Sequence, residues 1–547
     1  MVNRVVVIGF DGAPYGLINR LLEQGKMPNL KALGSSGVQG PLKSVLPPQS
    51  LPAWPSFVSG MNPGRHGVYS FFKPESDGYD IRPFSSEDIR GLAIWDYLTS
   101  LRIRCFLVNV PLTYPPYPID GVMISGIPAP LLTEEVRCFP EPFARELHAV
   151  APNYRVEITG VEYDEDKILS TLYKILDERT KVVLHLLKDK TWQFFMAVFT
   201  CSDRVEHVFW RHLDPDHPAG TELGRRKYGQ AIDEFFQELD CSLGKILEMV
   251  GDDSTTIVVS DHGHGPQIAE VGVNQLLAEV GALKYARSYR MGLTKSNLYG
   301  NLSKRGLIKL ARKFVPEKVR SAISTGIDYQ HSAAYCYSFG AINVNLKGRE
   351  PQGIIANKDY PRVVEELVKS ILGYVSPFDG KPIAEKIYRR EEIYWGEALD
   401  SAPDILVLFR DGYGPRSWNP NGKVIARFRP EEIDISKAVV ESGGHHWLST
   451  LDGIFFATGD SIKRGAKIDG ASIIDITPTI LHLMSIPIPR NIDGKVLFKI
   501  FAADSEQAKT NVQYSETILS KGPTGIPWSV EEEEVVKKRL ADLGYIG

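Results

Sequence analysis

The sequence predicts an α/β fold in which a large sheet of mostly parallel strands lies between layers of helices. Short runs rich in Val, Ile and Phe alternate along the chain with helix-forming segments, which is the pattern of α/β layering. These runs are apolar at almost every position, as expected for strands that are covered on both faces. With 547 residues, 43% of them hydrophobic and 24% charged, the chain can build a large core in a soluble globular protein.

The predicted strands and helices follow each other in alternation. Strands are predicted over RVVVIGF (4–10), RCFLVNV (104–110), WQFFMAVFT (192–200), TTIVVS (255–260), DILVLF (404–409) and DGIFFATG (452–459). Helices are predicted over MPNLKALGSSG (27–37), an amphipathic segment with Ile168, Leu172, Ile175 and Leu176 on one face, residues 228–250 and ITPTILHLM (476–484). Ligands bind at the carboxyl ends of strands in such sheets, so polar residues that follow a strand are candidate site residues.

A change of composition predicts the domain organisation. We expect one large domain over residues 1–500, a basic helical insertion or cap within it over residues 280–330, and a C-terminal helical extension over residues 501–547. The insertion is helix-prone and lacks strand runs, and only one acid, Glu317, lies among its basic residues. These are Lys284, Arg287, Arg290, Lys295, Lys304, Arg305, Lys309, Arg312, Lys313, Lys318 and Arg320.

The basic insertion has three interpretations. It is a solvated surface, a cap that closes over an anionic substrate, or a peripheral contact with an anionic membrane through residues 284–320. The last two are suggested by apolar residues such as Leu307, Ile308 and Leu310 interleaved with the basic ones. A cap that sets substrate choice is the interpretation we favour.

Charge and cysteine content restrict the expected partners and location. The 63 Lys and Arg residues balance 67 Asp and Glu residues to a net charge of −4, so no nucleic acid partner is expected. The five cysteines form no C-x-x-C pair, so we expect buried thiols without a disulfide framework or a thiolate zinc site. The N-terminal apolar run is short and ends at Asp11, which is typical of a first core strand and not of a signal peptide. No apolar run reaches about 18 residues, so we expect a cytoplasmic protein without a transmembrane segment.

The stretch PPQSLPAWP (47–55) holds one hydroxyl, that of Ser50, among prolines. Proline fixes its own φ and biases the preceding residue toward extended geometry. Ser50 is therefore predicted to lie at a rigid corner between a strand and a helix. A nucleophile needs such a fixed position.

Four further polar clusters lie near predicted strand ends. They are Asp11 after VVVIGF, Asp203 and His207 in TCSDRVEHVFW, Asp261 and His262 in SDHGHG, and His445 and His446 in GGHH. Taken singly, the first cluster has a turn as its plain alternative, the second an ion pair or helix cap, and the fourth a solvated loop, whereas SDHGHG is hard to explain by packing. The i, i+4 spacing in the second cluster places both side chains on one helical face. The glycines of SDHGHG let the backbone curl close to an ion.

Together the clusters suit divalent metal ions. Carboxylates and imidazoles are ligands for Zn²⁺, Mn²⁺ and Fe²⁺. Two such ions about 3.5–4 Å apart stabilise the attacking and the leaving oxygens of an in-line displacement. Ser50 is then the attacking oxygen.

These motifs resemble the type I phosphodiesterase/nucleotide pyrophosphatase family of the alkaline phosphatase superfamily. The resemblance covers the chain up to about residue 500 outside the basic insertion. It rests on V-x-G-x-D-G (7–12), MPNLKAL (27–33), PPQSLPAWPSFVSGMNPGRHGV (47–68), DRVEH (203–207), SDHGHG (260–265), SGGHH (442–446) and DITPTILHLM (475–484).

The resemblance implies that residues 1–500 form an alkaline-phosphatase-like catalytic domain with two metal sites, with zinc the expected metal and manganese or iron as alternatives. One site is implied at Asp11, Ser50, Asp261 and His262, and the other at Asp203, His207 and His445. His446 is the alternative to His445. The family nucleophile is usually threonine, and Ser50 keeps its hydroxyl.

Three departures from related patterns matter. The asparagine that usually follows the His-Gly pair is missing after His66 and Gly67, and Ser70 is the substitute considered for it. The C/S-x-P-x-R pattern of sulfatases lacks its arginine in SLPAW (50–54), which disfavours a sulfatase. His66 is predicted to be structural, because PGRHG has the composition of a turn.

The predicted function is two-metal hydrolysis of phosphodiester or pyrophosphate bonds in a small-molecule substrate, through a phosphoseryl intermediate at Ser50. One alternative is a phosphomonoesterase or phosphotransferase on the same metal core. The other is a metal-binding scaffold without turnover.

Overall fold

A computed structural model describes residues 3–75, 78–130, 136–158, 164–286, 326–417, 422–428, 441–516 and 529–542. The helices in these ranges are α1 Tyr15–Glu23, α2 Pro28–Ser36, α3 Ser50–Ser59, α4 Pro63–His66, α5 Ile94–Ser100, α6 Phe143–Val150, α7 Glu165–Lys188, α8 Cys201–Leu213, α9 Glu222–Tyr228, α10 Ala231–Val250, α11 Val273–Glu279, α12 Tyr360–Leu372, α13 Arg390–Ile393, α14 Ile476–Leu483, α15 Glu506–Lys509 and α16 Val530–Asp542.

The strands in the same ranges are β1 Arg4–Phe10, β2 Val38–Lys43, β3 Phe72–Pro74, β4 Ile81–Pro83, β5 Cys105–Val110, β6 Gly121–Ser125, β7 Cys138–Phe139, β8 Phe194–Phe199, β9 Ser254–Val259, β10 Gly265–Pro266, β11 Ala269–Gly272, β12 Ala334–Ser338, β13 Ala341–Val344, β14 Ala384–Arg389, β15 Ile405–Phe409, β16 Tyr413–Arg416, β17 Ile425–Arg427, β18 Gly443–Gly444, β19 Asp452–Thr458, β20 Ala466–Lys467, β21 Ala471–Ser472, β22 Ile488–Pro489 and β23 Tyr514–Ser515.

The central sheet has the strand order β20-β2-β19-β9-β1-β8-β5-β6-β7, with β21 also paired to β2. Strands β9, β1, β8, β5 and β6 are parallel, and β19 runs antiparallel between β9 and β2. Side chains alternate along β1, so that Val6 and Ile8 join one apolar cluster and Val5 and Val7 join another. The first cluster includes side chains of α1, α2, α7, α8 and α10, and the second includes those of α3, α5 and α14. The predicted α/β sandwich is therefore confirmed.

Most predicted elements occupy the expected positions. The runs predicted at 4–10, 104–110, 192–200, 255–260 and 452–459 form β1, β5, β8, β9 and β19 of the central sheet. The apolar face predicted for α7 is buried at all four named positions.

The run DILVLF is a strand, β15, but it belongs to a separate sheet of order β12-β13-β15-β14. This sheet, a three-stranded sheet of order β16-β11-β17, and helices α11 and α12 share a third apolar cluster. The two groups of strands form a smaller lobe with its own core. Apolar content alone could not separate β15 from the central strands, because all five of its residues are buried in this second core as well.

The two ends of the predicted basic insertion meet in this smaller lobe. Tyr285 and Ile327 form an antiparallel bridge, and the Ala286 amide donates to the Gly326 carbonyl oxygen at 2.9 Å. The Asp328 amide donates to the Lys284 carbonyl oxygen at 2.8 Å. We call residues 284–286 and 326–328 the neck. The predicted helices between them, with nearly all the basic side chains, lie outside the described residues.

The C-terminal helix α16 is attached to the main body. Val536 and Leu540 are buried in the first apolar cluster. The Tyr114 hydroxyl donates to Glu532 Oε1 at 2.9 Å, and Arg137 forms an ion pair with the same carboxylate. A buried apolar stripe and a shared carboxylate thus hold the extension against the main body.

Two sequence expectations concern side-chain burial and membrane spans. Four cysteines are buried as predicted, and Cys241 on α10 is exposed. Among the described residues, none of the helices combines the length and the apolar character that crossing a membrane requires.

Candidate metal centre

Ser50 lies at the predicted corner between strand and helix. Strand β2 ends at Lys43, and α3 begins at Ser50 after Gln49, which is extended at φ −135° and ψ 149°. Ser50 is 3% exposed, and its hydroxyl donates to Asp11 Oδ1 at 3.1 Å. The hydroxyl oxygen of Ser50 also lies 3.4 Å from His262 Nε2. The fixed serine therefore faces two of the side chains predicted to accompany it.

Asp11, Asp261 and His262 follow the neighbouring parallel strands β1 and β9. His262 Nε2 lies 3.3 Å from Asp261 Oδ2 and 3.9 Å from Asp11 Oδ1. Trp54 Nε1 donates to Asp11 Oδ2 at 2.9 Å, and the Gly12 amide donates to Asp261 Oδ1 at 3.2 Å. Both Asp11 oxygens thus accept a hydrogen bond, one from Ser50 and the other from Trp54. Asp261 has one oxygen held by the Gly12 amide and the other facing the His262 imidazole.

Gly12 allows a third carboxylate to approach. Its φ is +73°, and a Cβ atom at this position would lie 2.9 Å from Asp203 Oδ1. A side chain here would therefore strain the backbone and displace Asp203. Asp11 and Gly12 therefore form a turn after β1, which was the plain alternative predicted from the sequence, and they also lie in the candidate site.

Asp203, His207 and His445 form a second cluster. Asp203 and His207 lie one turn apart on α8, with His207 Nε2 3.4 Å from Asp203 Oδ2. The ring of His445 lies 5.3 Å from that of His207. His207 Nδ1 donates to the Gly443 carbonyl oxygen at 3.0 Å, and His445 Nδ1 donates to that of Pro48 at 2.6 Å. Because each Nδ1 carries the donated hydrogen, each neutral ring keeps a lone pair on Nε2.

The donor set fits divalent metal ions. Two groups have ligand atoms that all lie within 4.8 Å of one another, Asp203 with His207 and His445, and Asp203 with Asp11 and His262. The separations of 3.3 to 3.9 Å exceed the usual hydrogen-bond range, and atoms that share one tetrahedral ion at about 2.0–2.1 Å lie roughly 3.4 Å apart.

Several of these buried atoms have no hydrogen-bond partner. They are Asp203 Oδ1, His207 Nε2, Asp261 Oδ2 and His445 Nε2. Leaving such atoms unpaired is costly, and a bound cation would satisfy them.

Electrostatics supports the same fit. Burial raises the pKa of Asp11 well above its usual range, and the charges of Asp261 and Asp203 raise it further. Burial also raises the pKa of Asp261. The pKa of His445 is lowered well below its usual value by burial and then by neighbouring imidazoles, so its ring is neutral and able to bind a metal. Closely spaced carboxylates of this kind need a nearby cation to be ionised together.

The structure brings all seven predicted site residues together, and their division between two metal sites stays a prediction. Asp203 belongs to both metal-binding groups and not to one alone. Asp261 lies outside both groups, although its Oδ2 contacts His262 at 3.3 Å. The predicted ligand roles stay predictions, with Asp203 placed between the two sites.

His445 and His446 occupy different surroundings. Only His445 is in a metal-binding group of the described residues, whereas the ring of His446 stacks on Phe339 with centroids 4.8 Å apart and planes at 19°. This arrangement favours His445 as the ligand.

Substitution of the two histidines tests that preference. We expect His445→Gln to lower metal content to about one ion per chain and activity by at least about 10²-fold, because it removes a ligand. His446→Gln should keep both ions. Metal content is measured by mass spectrometry after dialysis of the loaded protein. Loss of metal and activity in His446→Gln, with His445→Gln unaffected, would reverse the assignment.

The sequence interpretation missed two buried side chains, His264 and Glu206. Both carboxylate oxygens of Glu206 lack a partner, and its pKa is raised well above the usual range by burial and by Asp203 and Asp11. Its signal in the sequence was its position three residues after Asp203 on one helical face. His264 belongs to the motif SDHGHG, but only Asp261 and His262 of that motif were predicted as metal ligands.

Ser70, considered as a substitute for the missing asparagine, is engaged elsewhere. Its hydroxyl donates to the Phe72 carbonyl oxygen at 2.8 Å and accepts from the Phe72 amide at 3.1 Å. Both interactions close a local turn. The hydroxyl is therefore not free to hold a phosphoryl oxygen in this conformation.

His66 has the structural surroundings predicted for it. The ring is fully buried, its Nδ1 accepts from the Val68 amide at 3.2 Å, and its Nε2 donates to Ser56 Oγ at 2.8 Å. Burial lowers the pKa of His66 to about 3. Both ring nitrogens of a neutral His66 therefore have a hydrogen-bond partner here, whereas a protonated Nδ1 would face the Val68 amide, which is itself a donor.

This burial predicts a dependence of stability on pH. The folded protein resists protonation of His66 down to about pH 3 while the unfolded chain binds the proton below about pH 6.5, so stability falls as pH is lowered through that interval. Between pH 7 and pH 5 the contribution lost is about 2 kcal/mol. Denaturant unfolding at both pH values should show a smaller drop for His66→Gln than for the wild type. Equal drops would contradict the prediction.

The fold and the site define a class of enzyme. A buried serine faces carboxylates and imidazoles at the carboxyl ends of parallel strands, an arrangement suited to a metal-dependent phosphoric ester hydrolase. The family model described as type I phosphodiesterase / nucleotide pyrophosphatase matches residues 5–423. The chain belongs to this family, which confirms the resemblance and the predicted enzyme class.

Solved structures confirm the alkaline-phosphatase-like fold. Murine ectonucleotide pyrophosphatase / phosphodiesterase 5, in an inactive form in complex with AMP, has 13% identity and a TM-score of 0.50 over 91% of this chain and 100% of that one. Phosphonoacetate hydrolase from Sinorhizobium meliloti 1021, in complex with phosphonoformate, has 14% identity and a TM-score of 0.52 over 88% and 96%. At these identities the likeness concerns the fold alone. No curated protein sequence matches the chain.

Proposed function

We propose that the protein hydrolyses phosphodiester or pyrophosphate bonds of a small-molecule substrate through a phosphoseryl intermediate at Ser50. The observation that carries this proposal is the Ser50 hydroxyl, which lies at the first residue of α3 and 3.1 Å from Asp11 Oδ1. It is an oxygen nucleophile held in a fixed position at a cluster of candidate metal ligands.

Two divalent ions complete the proposed site, with zinc preferred and manganese or iron as alternatives. Asp11, Ser50, Asp261 and His262 would hold one, and Asp203, His207 and His445 the other, with Asp203 close to both. When bound, the ions lower the pKa of the nucleophile and stabilise the charge that develops on the phosphoryl and leaving oxygens.

The protein's own groups orient the attack. Asp11 Oδ1 accepts a hydrogen bond from the Ser50 hydroxyl, and this bond aims a lone pair of Ser50 Oγ away from the carboxylate. Asp11 receives the hydroxyl proton as the attack begins. Trp54 holds the other oxygen of Asp11 at 2.9 Å, so the acceptor does not rotate away. Helix α3 starts at Ser50, so its positive end favours an anionic phosphoryl group at the same place.

Two displacements complete the proposed reaction. In the first, Ser50 Oγ bonds to phosphorus as the bond to the leaving oxygen breaks. In the second, water attacks the phosphoseryl group and releases the phosphoryl product with Ser50 restored. Each step exchanges one oxygen at phosphorus for another, so no oxidant or further cofactor is required.

The alternative activity is phosphomonoester hydrolysis or phosphoryl transfer. Serine at the nucleophile position and the absence of an asparagine after Gly67 are the two sequence features that favour it. The scaffold interpretation is disfavoured by family membership and by the complete set of donors.

A comparison of two chromogenic substrates tests the proposal. The protein loaded with zinc is assayed on bis(p-nitrophenyl) phosphate and on p-nitrophenyl phosphate, before and after chelation and return of the metal. We expect kcat/KM at least about tenfold higher for the diester, and recovery only with metal. Higher kcat/KM for the monoester would instead establish the alternative activity, and turnover that is insensitive to chelation would contradict both.

A further inference from the structure

We propose that His264 is a fourth protein ligand in the group formed by Asp203, His207 and His445, and that it binds through Nε2. The inference deepens the proposed function and rests on it. It adds one imidazole to the ligand set that the family resemblance implies.

His264 lies beside this group, although it belongs to neither set of described residues whose ligand atoms all lie within 4.8 Å of one another. Its Nε2 lies 3.7 Å from Asp203 Oδ1, and His207 Nε2 lies 3.4 Å from Asp203 Oδ2. The ring centroid of His264 is 4.6 Å from that of His207 and 5.6 Å from that of His445. The Nε2 atoms of His207 and His264 therefore each lie near one oxygen of the Asp203 carboxylate, at separations that are long for hydrogen bonds but suited to ligands of an ion.

Neither ring nitrogen of His264 has a hydrogen-bond partner, and its side chain is 0% exposed. Burying a polar atom without a hydrogen-bond partner costs folding free energy. The nearby carboxylate oxygen Asp203 Oδ1 also lacks a partner. A cation between these two atoms would satisfy both. A purely packing role would leave both unpaired.

The surroundings hold the ring in this orientation. Trp210, on the helix that supplies Asp203 and His207, stacks on His264 with centroids 5.4 Å apart and planes at 21°. On another side, a Cβ atom at Gly443 would lie 2.6 Å from His264 Cε1. The absence of a side chain at Gly443 thus makes room for the imidazole beside the same group.

The added imidazole changes the chemistry of the group. One carboxylate and three imidazoles give four protein donors, which suits zinc and other borderline ions better than magnesium or calcium. The ion at this group should therefore bind more tightly than one held by three donors.

Metal titration of the whole protein tests the inference. Metal-free wild type, His264→Gln and His264→Met are titrated with Zn²⁺ by calorimetry and by competition with a chromophoric chelator. We expect two ions on the wild type and at least a tenfold weaker affinity for one of them in both variants. His482→Gln is the matched control, since that buried ring contacts the Gln507 carbonyl oxygen at 2.8 Å outside the site. It should keep both affinities.

The cobalt-loaded wild type provides a second readout that does not depend on a variant. Each histidine that binds Co²⁺ through Nε2 adds one hyperfine-shifted exchangeable N–H resonance. We expect four, from His207, His262, His264 and His445; three, or unchanged zinc affinities in the folded variants, would overturn the inference. If the wild type bound no ions, the proposed function itself would fail and the inference with it, whereas two ions with three resonances would overturn the inference alone.

Discussion

Ser50→Ala is expected to abolish turnover and to leave the fold and the metal content nearly intact. The substitution removes the attacking oxygen and only one small hydroxyl from the core. We expect kcat to fall by at least about 10³-fold, which corresponds to about 4 kcal/mol of activation free energy. The substitution also removes the hydrogen bond from Ser50 to Asp11 Oδ1. The Asp11 carboxylate should nevertheless stay in place, because Trp54 still donates to its Oδ2.

The measurement is steady-state turnover of the diester together with metal content and circular dichroism. Ser50→Thr is the control, because threonine is the usual nucleophile in the family and restores the hydroxyl. It should retain activity within about tenfold of the wild type. A Ser50→Ala protein with more than about a tenth of the wild-type kcat would rule out the covalent mechanism.

Asp203→Asn is expected to weaken both metal ions at once. Asp203 has ligand atoms within 4.8 Å of His207 and His445 and also of Asp11 and His262. An amide is a weaker ligand than a carboxylate and carries no charge to balance the cations. We therefore expect loss of at least one ion, at least tenfold weaker affinity for the other, and a fall in kcat of at least about 10²-fold.

Asp261→Asn is the matched comparison for this effect. Its carboxylate contacts His262 at 3.3 Å, on the side of Ser50, so its loss should weaken mainly the ion there. Titration of both variants with Zn²⁺ distinguishes one weakened site from two. If Asp203→Asn weakened a single ion while Asp261→Asn weakened both, the placement of Asp203 between the sites would be wrong.

Local rules predicted the parts of the site that depend on neighbours in the chain. Prolines around Ser50 predicted its corner, and the i, i+4 spacing predicted that Asp203 and His207 share a helical face. Strand ends predicted the meeting of Asp11 and Asp261, because β1 and β9 are adjacent and parallel. Each of these inferences needs only backbone geometry over a few residues or the common direction of parallel strands.

Contacts between distant segments were not predictable in the same way. The position of Asp203 between two metal-binding groups depends on how closely α8 approaches β1, which Gly12 permits. The orientation of His264 depends on Trp210 and Gly443, from two other segments. Strand β15 belongs to a separate sheet because it pairs with β13 and β14. The pattern of apolar residues in a strand does not determine which strands it pairs with.

The neck has a consequence for how relatives of this enzyme can diverge. Its two chain segments are bonded to each other at Tyr285 and Ile327, so the chain leaves the smaller lobe and returns to it at one point. The entropy of closing a loop grows slowly with length, and each doubling costs only about 0.6 kcal/mol. A change in the number of residues between Ala286 and Gly326 therefore adds little to the free energy of bringing the two ends of the neck together. Insertion and deletion at this point would leave Ser50 and the candidate metal ligands, which belong to other segments of the chain, in the sequence.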